Sequence, residues 1–429
     1  SGTVQQQGIS AMTANPSACN PATNTYSVSG SLTLVNPPTS GTLTVSIGAN
    51  QQVFNAPFNS PTNYTITGLT ADGAVHTVNA VFSGGSQCSN SINYTAPVNC
   101  QPIITHSKSF VSATQTGAHS FSVVYTITVG NTGGDGQYDL KDVPGFDDDI
   151  AITSASFTTN APGNPGRALA GTGPWTLAND QAILTGQTHT YTLTVNVTID
   201  LSVGSSGNNS YTKCGTATPG NPTSGEGLYN ESRLDTNNDG TPEETKKACG
   251  DIPYLDMTKS VASINPLGGN MYNVLYTITV KNLGGANGQY DLTDAPAFEN
   301  DITIGSASYT SNAPGNAGSA LAGTGPWILA SDQGIIVGAT HTYTLTVKVT
   351  LDLTGGGGDN VYTKCGAAIP GDPSAGEGLY NQSKMDTNND GTNDETDEAC
   401  GDLPYVTTTK SVSSIIALGG NMYNVIYSI

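Results

Sequence analysis

Residues 272–280 read YNVLYTITV and residues 343–353 read YTLTVKVTLDL. In the first stretch Val274, Tyr276, Ile278 and Val280 alternate with Thr277 and Thr279. In the second, Tyr343, Leu345, Val347, Val349, Leu351 and Leu353 keep one parity over eleven residues. A period of two sends successive side chains to opposite faces of a strand, so one face packs inward and the Thr, Lys and Asp face stays wet. Upstream, FSVVYTITV at 121–129 and the set Tyr191, Leu193, Val195, Val197 and Ile199 repeat the pattern. Two antiparallel sheets packed face to face accommodate many such half-polar strands, and the expected fold is all-β, a tandem array of immunoglobulin-like or prealbumin-like sandwiches.

The recurrence extends well beyond these strands. Lys108, Lys259 and Lys410 stand 151 residues apart, each before a serine. GQYDL (136–140 and 288–292), GTGPW (ending at Trp175 and Trp327), YTKCG (around Cys214 and Cys365), GEGLYN (ending at Asn230 and Asn381) and DTNNDG (235–240 and 386–391) all occur twice. Repetition on this scale defines an array of one module. The divisions read from it are a shorter module at 1–100, long repeats at 101–252 and 253–404, and the opening of a further copy at 405–429, so the chain reads as a fragment of a longer array.

Thirteen Lys and Arg against 33 Asp and Glu give a net charge of −20, although charged residues make up only 11% of the chain. That balance disfavours nucleic acid as a partner. No stretch has the eighteen or so continuous apolar residues of a membrane helix, so direct membrane insertion by this segment is not expected. With 52 Gly and 23 Pro, the composition opposes a helical protein.

Cys214 and Cys249 are 35 positions apart, as are Cys365 and Cys400. The repeated offset favours one disulfide per long repeat over buried free thiols, and the spacing does not suit zinc. Cys19, Cys88 and Cys100 form an odd set in which Cys100 pairs with either Cys19 or Cys88. Disulfides imply an exported protein.

Between the cysteines, Asp235-x-Asn237-x-Asp239-Gly240 and Asp386-x-Asn388-x-Asp390-Gly391 place oxygen-bearing side chains at calcium-loop spacing. Thr241 and Thr392 follow with backbone oxygens, and Glu243 and Asp394 sit at the ninth position. Structural Ca²⁺ is therefore expected, although no glutamate occupies position twelve. The alternative is an acidic turn that hydrogen-bonds itself. A second acidic patch, Asp147, Asp148 and Asp149, returns as Glu299, Asn300 and Asp301 and reads as a solvated turn.

Few cations occur, so the repeated lysines stand out. Lys108 and Lys259, with Asp142 and Asp294 after QYDL and Asn230 and Asn381 in GLYN, supply an amine, an acid and a carboxamide, the parts of an intramolecular isopeptide bond. The competing reading is an exposed lysine head above a covered stem, with each asparagine serving its own turn. No Ser-His-acid set recurs, HExxH is absent, and the glycine runs lack a phosphate-loop ending, so no enzyme is expected. Trp175 and Trp327 are candidate ligand aromatics, or core residues after a turn.

Taken together, Thr-Lys-Ser-Val at 258–261, Tyr-Thr-Ile-Thr-Val-Lys-Asn at 276–282, Leu-Thr-Asp-Ala-Pro at 292–296, Gly-Pro-Trp at 325–327 and the GLYN, DTNNDG and Ala-Cys-Gly-Asp endings resemble the DUF11-like bacterial cell-surface repeat family over about residues 101–404. That resemblance implies β-sandwiches used in tandem to build surface stalks and adhesins. Residues 1–100 are similar to short repeats in large surface adhesins of gliding Bacteroidota, which implies gliding motility and type IX secretion. The expected role is a structural stalk or spacer in an extracellular, bacterial cell-surface adhesin, its partners the neighbouring repeats of the same polypeptide. The alternatives are an adhesive module for a surface glycan or protein, and a surface-layer protein.

Overall fold

The computed structural model describes residues 7–83, 88–355, 357–406 and 408–429, and among these every regular element is a β-strand. The first long repeat pairs its strands into two antiparallel sheets. One has five strands in the order Arg167–Leu169, Ile150–Thr159, Thr188–Ile199, Ser120–Asn131 and Ile104–Gly117. The other has four, in the order Trp175–Ile183, Gly136–Pro144, Asn230–Asp235 and Glu244–Ala248. The second long repeat has the same order, with a five-stranded sheet opening at Leu255–Gly268 and a four-stranded sheet closing at Glu395–Ala399.

Strand Ser120–Asn131 alternates strictly between buried and half-buried positions, as does Met271–Asn282 until its last turn of pleat. Phe121, Val123, Tyr125, Ile127 and Val129 form the inner face and meet Leu140, Leu177 and Leu234 of the facing sheet in one core. The parity read for residues 343–353 holds through Leu351, where the strand ends. Asp352 stops it there, because its carboxylate accepts the Thr354 amide at 2.9 Å and turns the chain, leaving Leu353 half-buried at the edge of the core.

Aromatic hydroxyls inside each core are paired rather than orphaned. Tyr138 Oη lies 2.8 Å from Tyr191 Oη and 2.8 Å from His189 Nδ1, and Tyr290, Tyr343 and His341 repeat the arrangement. The histidine before each YTLTV is thus a core residue, and burial pushes its basicity down.

The short module is also two antiparallel sheets. It includes strands Gly8–Met12, Asn15–Pro16 and Asn50–Asn55, which polar sequence conceals. The last described strands, Ser411–Gly419 and Met422–Ser428, form a hairpin equivalent to the opening hairpins of the long repeats.

At the join between the long repeats the two cores nearly touch in sequence. Ile252 and Tyr254 pack in the first core, whereas Leu255 and Met257 pack in the second. Tyr254 therefore belongs structurally to the repeat before the 252/253 division. On the second repeat's long strand, Leu345→Ala should cost about 2–5 kcal/mol, whereas Lys348→Ala on the exposed face should change stability by no more than about 0.5 kcal/mol. Chemical denaturation of the two variants checks which face is core.

Candidate functional site

Lys108 lies on the edge strand of the five-stranded sheet, in register with Ile127. Its side chain is fully buried and crosses to the facing sheet, where its Nζ donates to Asp142 Oδ2. There, strands Gly136–Pro144 and Asn230–Asp235 run antiparallel, with Asp142 opposite Ser232 and Pro144 opposite Asn230. Asp142 and Asn230 are consequently diagonal neighbours on one inward face, and both are 0% exposed. Lys108 Nζ also sits 5.0 Å from the centre of the Tyr125 ring. Tyr125 Oη donates to the Leu228 carbonyl at 2.5 Å, which holds the Gly-Leu-Tyr-Asn segment against the core and places Asn230.

The polar accounting at this site is incomplete. Asp142 Oδ1 and both amide atoms of Asn230 are buried without a hydrogen-bond partner. The second repeat reproduces the arrangement with Lys259, Asp294 and Asn381, and again Asp294 Oδ1 and both Asn381 amide atoms lack partners. Buried polar groups are nearly always paired, and leaving one unpaired costs about 1–3 kcal/mol. Desolvation pushes the Lys108 and Lys259 amines below the usual lysine range against the pull of their aspartates, and pushes the Asp142 carboxyl up against the pull of Lys108. An exposed lysine head is excluded by these side chains' complete burial.

The copies differ around this shared core. In the first repeat, His106 is buried between Glu244 (Nδ1 to Oε2, 2.8 Å) and Ser232 (Nε2 to Oγ, 3.0 Å), and Lys246 pairs with the same glutamate at 2.6 Å. In the second, Met257 replaces the histidine and Asp397 replaces Lys246. Ser383 then turns to Lys259 Nζ at 2.8 Å and Asp294 Oδ2 at 2.9 Å. Burial opposes ionisation at Glu244, yet Lys246 and His106 outweigh it and hold its carboxyl down at about 2. Glu395 has neither partner. Burial pushes it up to about 7, with Asp256 and Asp397 adding repulsion against one Met257 amide bond.

In the DTNNDG loops, Asp235 accepts the amides of Asn237, Asn238 and Gly240, and Asp386 accepts those of Asn388, Asn389 and Gly391. Asn237 Oδ1 accepts the Asp239 amide, while Thr241 and Thr392 donate amides to Asp239 and Asp390. Glu243 and Asp394 bind back to Thr236 and Thr387. Carboxylate oxygens of Asp235, Asp239 and Glu243 lie within 4.8 Å of one another, a donor set of the hard-oxygen kind that suits Ca²⁺. The equivalent Asp386, Asp390 and Asp394 do not form such a group among the described residues.

The second acidic patch is not a solvated turn. Asp147 and Asp149 are buried, and they accept the amides of Thr212 (2.7 Å), Asn209 (3.0 Å) and Ser210 (2.9 Å), so the carboxylates anchor a loop that has no ladder of its own. Glu299 and Asp301 occupy the same buried positions. Sequence reading also missed Glu226 and Glu377. Glu226 accepts amides from Gly215, Ala217 and Thr223, and Glu377 from Gly366, Ala368 and Ser374. Their repetition inside GEGLYN was the available signal. Disulfides join Cys214 to Cys249, Cys365 to Cys400 and Cys19 to Cys100, and Cys88 lies outside them.

Trp175 and Trp327 are only 3% exposed, lie within the cores and donate Nε1–H to Ala170 and Ala322 carbonyls at 3.1 Å. The ligand-aromatic expectation is corrected accordingly, since a ring enclosed in the core cannot stack on a sugar.

No protein-family model and no curated protein matches the chain. Among solved structures it is similar to invasin, a bacterial integrin-binding protein, at 11% identity and a TM-score of 0.23 over 97% of this chain and 67% of that one. The full-length major pilin SpaD from Corynebacterium diphtheriae matches at 13% identity and a TM-score of 0.24 over 81% of this chain and 80% of that one. The collagen adhesin of S. aureus matches at 11% identity and 0.17 over 56% and 92%. These overlaps are too loose to carry an argument about function.

Glu395 generates a pH prediction. Its folded value, about 7, lies above its ordinary 4.5, so between those values the folded state holds more protons and stability falls as pH rises. Glu395→Gln should leave stability at pH 4 unchanged and raise it above pH 7, with the gain developing across that window. Thermal unfolding of both proteins over the pH range checks this, and a pH-independent difference would contradict it.

Proposed function

We propose that this chain is a stiff spacer within an extracellular cell-surface adhesin, built to carry force along consecutive sandwiches. The observation that carries the reading is the join. Ile252 and Leu255, three residues apart, are buried in successive cores, which leaves no free linker between them. The second repeat grips the join through its own loop, where Leu283 donates its amide to the Tyr254 carbonyl at 2.8 Å and Gly285 donates to Ile252 at 2.9 Å. From the first repeat, the His119 ring stacks on Tyr254 at 4.1 Å and its Nε2 lies 3.1 Å from the Leu255 carbonyl. Gln115 reaches across to Thr387 of the DTNNDG loop at 2.5 Å. Short, gripped joins make neighbours move as one body, which is what tandem arrays need to keep length under load.

The three disulfides support an oxidising, extracellular setting. The resemblance to DUF11-like surface repeats supports the bacterial cell surface, with a Bacteroidota gliding-motility adhesin exported by the type IX system as the specific setting. Ca²⁺ at Asp235, Asn237, Asp239, Thr241 and Glu243, and at Asp386, Asn388, Asp390, Thr392 and Asp394, would neutralise carboxylates and stiffen the loops next to the joins. The partners are the adjoining repeats.

Gly284 gives a direct test, because a Cβ there would meet join backbone atoms, Tyr254 N at 2.4 Å and Ile252 O at 2.5 Å. Small-angle scattering from the full chain should fit one narrow distribution of dimensions, and Gly284→Ala should broaden it. A broad ensemble of bent forms in the unmutated chain would remove the spacer reading. Calcium at about 100 times its Kd should add about 2.7 kcal/mol of stability, reversed by chelator. A denaturation curve indifferent to chelator would remove calcium from the account.

A further inference from the structure

We propose that each long repeat closes itself with an isopeptide bond, Lys108 Nζ to Asn230 Cγ in the first and Lys259 Nζ to Asn381 Cγ in the second. The spacer reading gives this bond its use, but the chemistry stands on the buried array alone.

In each repeat three atoms of this array are left without partners: one aspartate oxygen, the asparagine oxygen and the asparagine nitrogen. An ordinary salt bridge explains none of them. Amide formation accounts for all three. The asparagine nitrogen departs, the retained carbonyl oxygen accepts a hydrogen bond from the carboxylic acid O–H, and the new N–H donates to the acid's other oxygen, which Lys Nζ already faces. The same three orphans occur in both copies, while surrounding residues such as His106 and Met257 differ.

The reaction balances without any co-reactant. Within the buried pair a proton passes from the lysine ammonium to aspartate, leaving a neutral amine beside a neutral acid, the form that desolvation favours. The Nζ lone pair attacks Asn Cγ and forms the new C–N bond. The carboxyl protonates the asparagine nitrogen and takes the surplus proton from Nζ, the old C–N bond breaks, and ammonia leaves. Asp142 and Asp294 are regenerated and act as the catalytic acids of a single turnover. Tyr125 and Tyr276, each 5.0 Å from the lysine nitrogen to ring centre, wall the amine from water. Their hydroxyls fix the Leu228 and Leu379 carbonyls, two residues before each asparagine, so they are positioning residues.

The placement of the bond has a mechanical consequence. It runs from the opening strand directly to the strand that precedes the disulfide-closed exit, Cys249 or Cys400. Force entering at Lys108 would pass through the bond to Asn230 and leave by the closing segment. The strands between residues 109 and 229 would then lie in a covalent loop off the path of tension.

Intact mass of the reduced full chain tests the bond directly. Two bonds lower it by about 34 Da, about 17 Da each. Because a succinimide would lose the same mass, tryptic mapping must also find branched peptides joining Lys108 to Asn230 and Lys259 to Asn381. Lys348, on the exposed face of its strand, is an internal control at which cleavage should be normal. Asp142→Asn should restore about 17 Da, apart from the substitution's own mass, and free only the first pair. If that variant fails to fold, the mass and peptides of the unmutated chain still discriminate between bonded and unbonded lysines. A full calculated mass with cleavage at Lys108 and Lys259 overturns the proposal, whether or not the chain is a rigid spacer.

Discussion

A buried lysine reaching from one sheet to an aspartate on the other sets the terms for each long repeat. An ammonium in a sandwich core is costly unless its partner is within hydrogen-bond reach, and here that partner comes from the facing sheet. The pair therefore fixes how the sheets stack: a slip of one residue along either strand would turn the lysine or the aspartate out to the wet face. Because Asp142 pairs opposite Ser232, the same constraint sets strand Asn230–Asp235, and with it Asn230, beside the aspartate. Cores of Val, Ile, Leu and Tyr supply stability on both sides of this point.

The two copies show how an identical frame tolerates different electrostatics beside it. Glu244 sits among His106 and Lys246 and stays ionised far below neutrality, whereas Glu395 sits among Met257 and Asp397 and resists ionisation. Only groups outside the Lys, Asp and Asn array have changed. Substitution of one buried partner redirected another, since Ser383, released from a histidine, joined the lysine and aspartate instead.

Acidic residues do structural work that net charge alone conceals. Between the strands ending at Ile199 and beginning at Asn230 lies a long segment without regular structure, whose amides cannot be satisfied by a ladder. Asp147, Asp149 and Glu226 accept those amides, and Cys214–Cys249 ties the segment to the exit. An acidic chain thus uses part of its negative charge as internal scaffolding.

Period-two alternation such as Val274, Tyr276, Ile278 and Val280 was enough to establish strands and their buried face, because side-chain direction in a strand is local geometry. The repeat at 151 residues likewise revealed the tandem copies and the equal positions of Lys, Asp, Asn and Cys. Strand Asn50–Asn55 and the roles of Asp147 and Glu226 were not legible, since a polar residue's partner is chosen by chain segments far away in sequence. The same reason governs the two tryptophans, whose aromatic character allowed a ligand platform until packing enclosed them, and Cys100, which had two possible partners until folding brought Cys19 beside it. Local periodicity determined that this chain is a row of β-sandwich repeats. Only the stacking of one sheet on the other decided that lysine, acid and carboxamide share a dry interior, because that proximity exists across the core and nowhere along the chain.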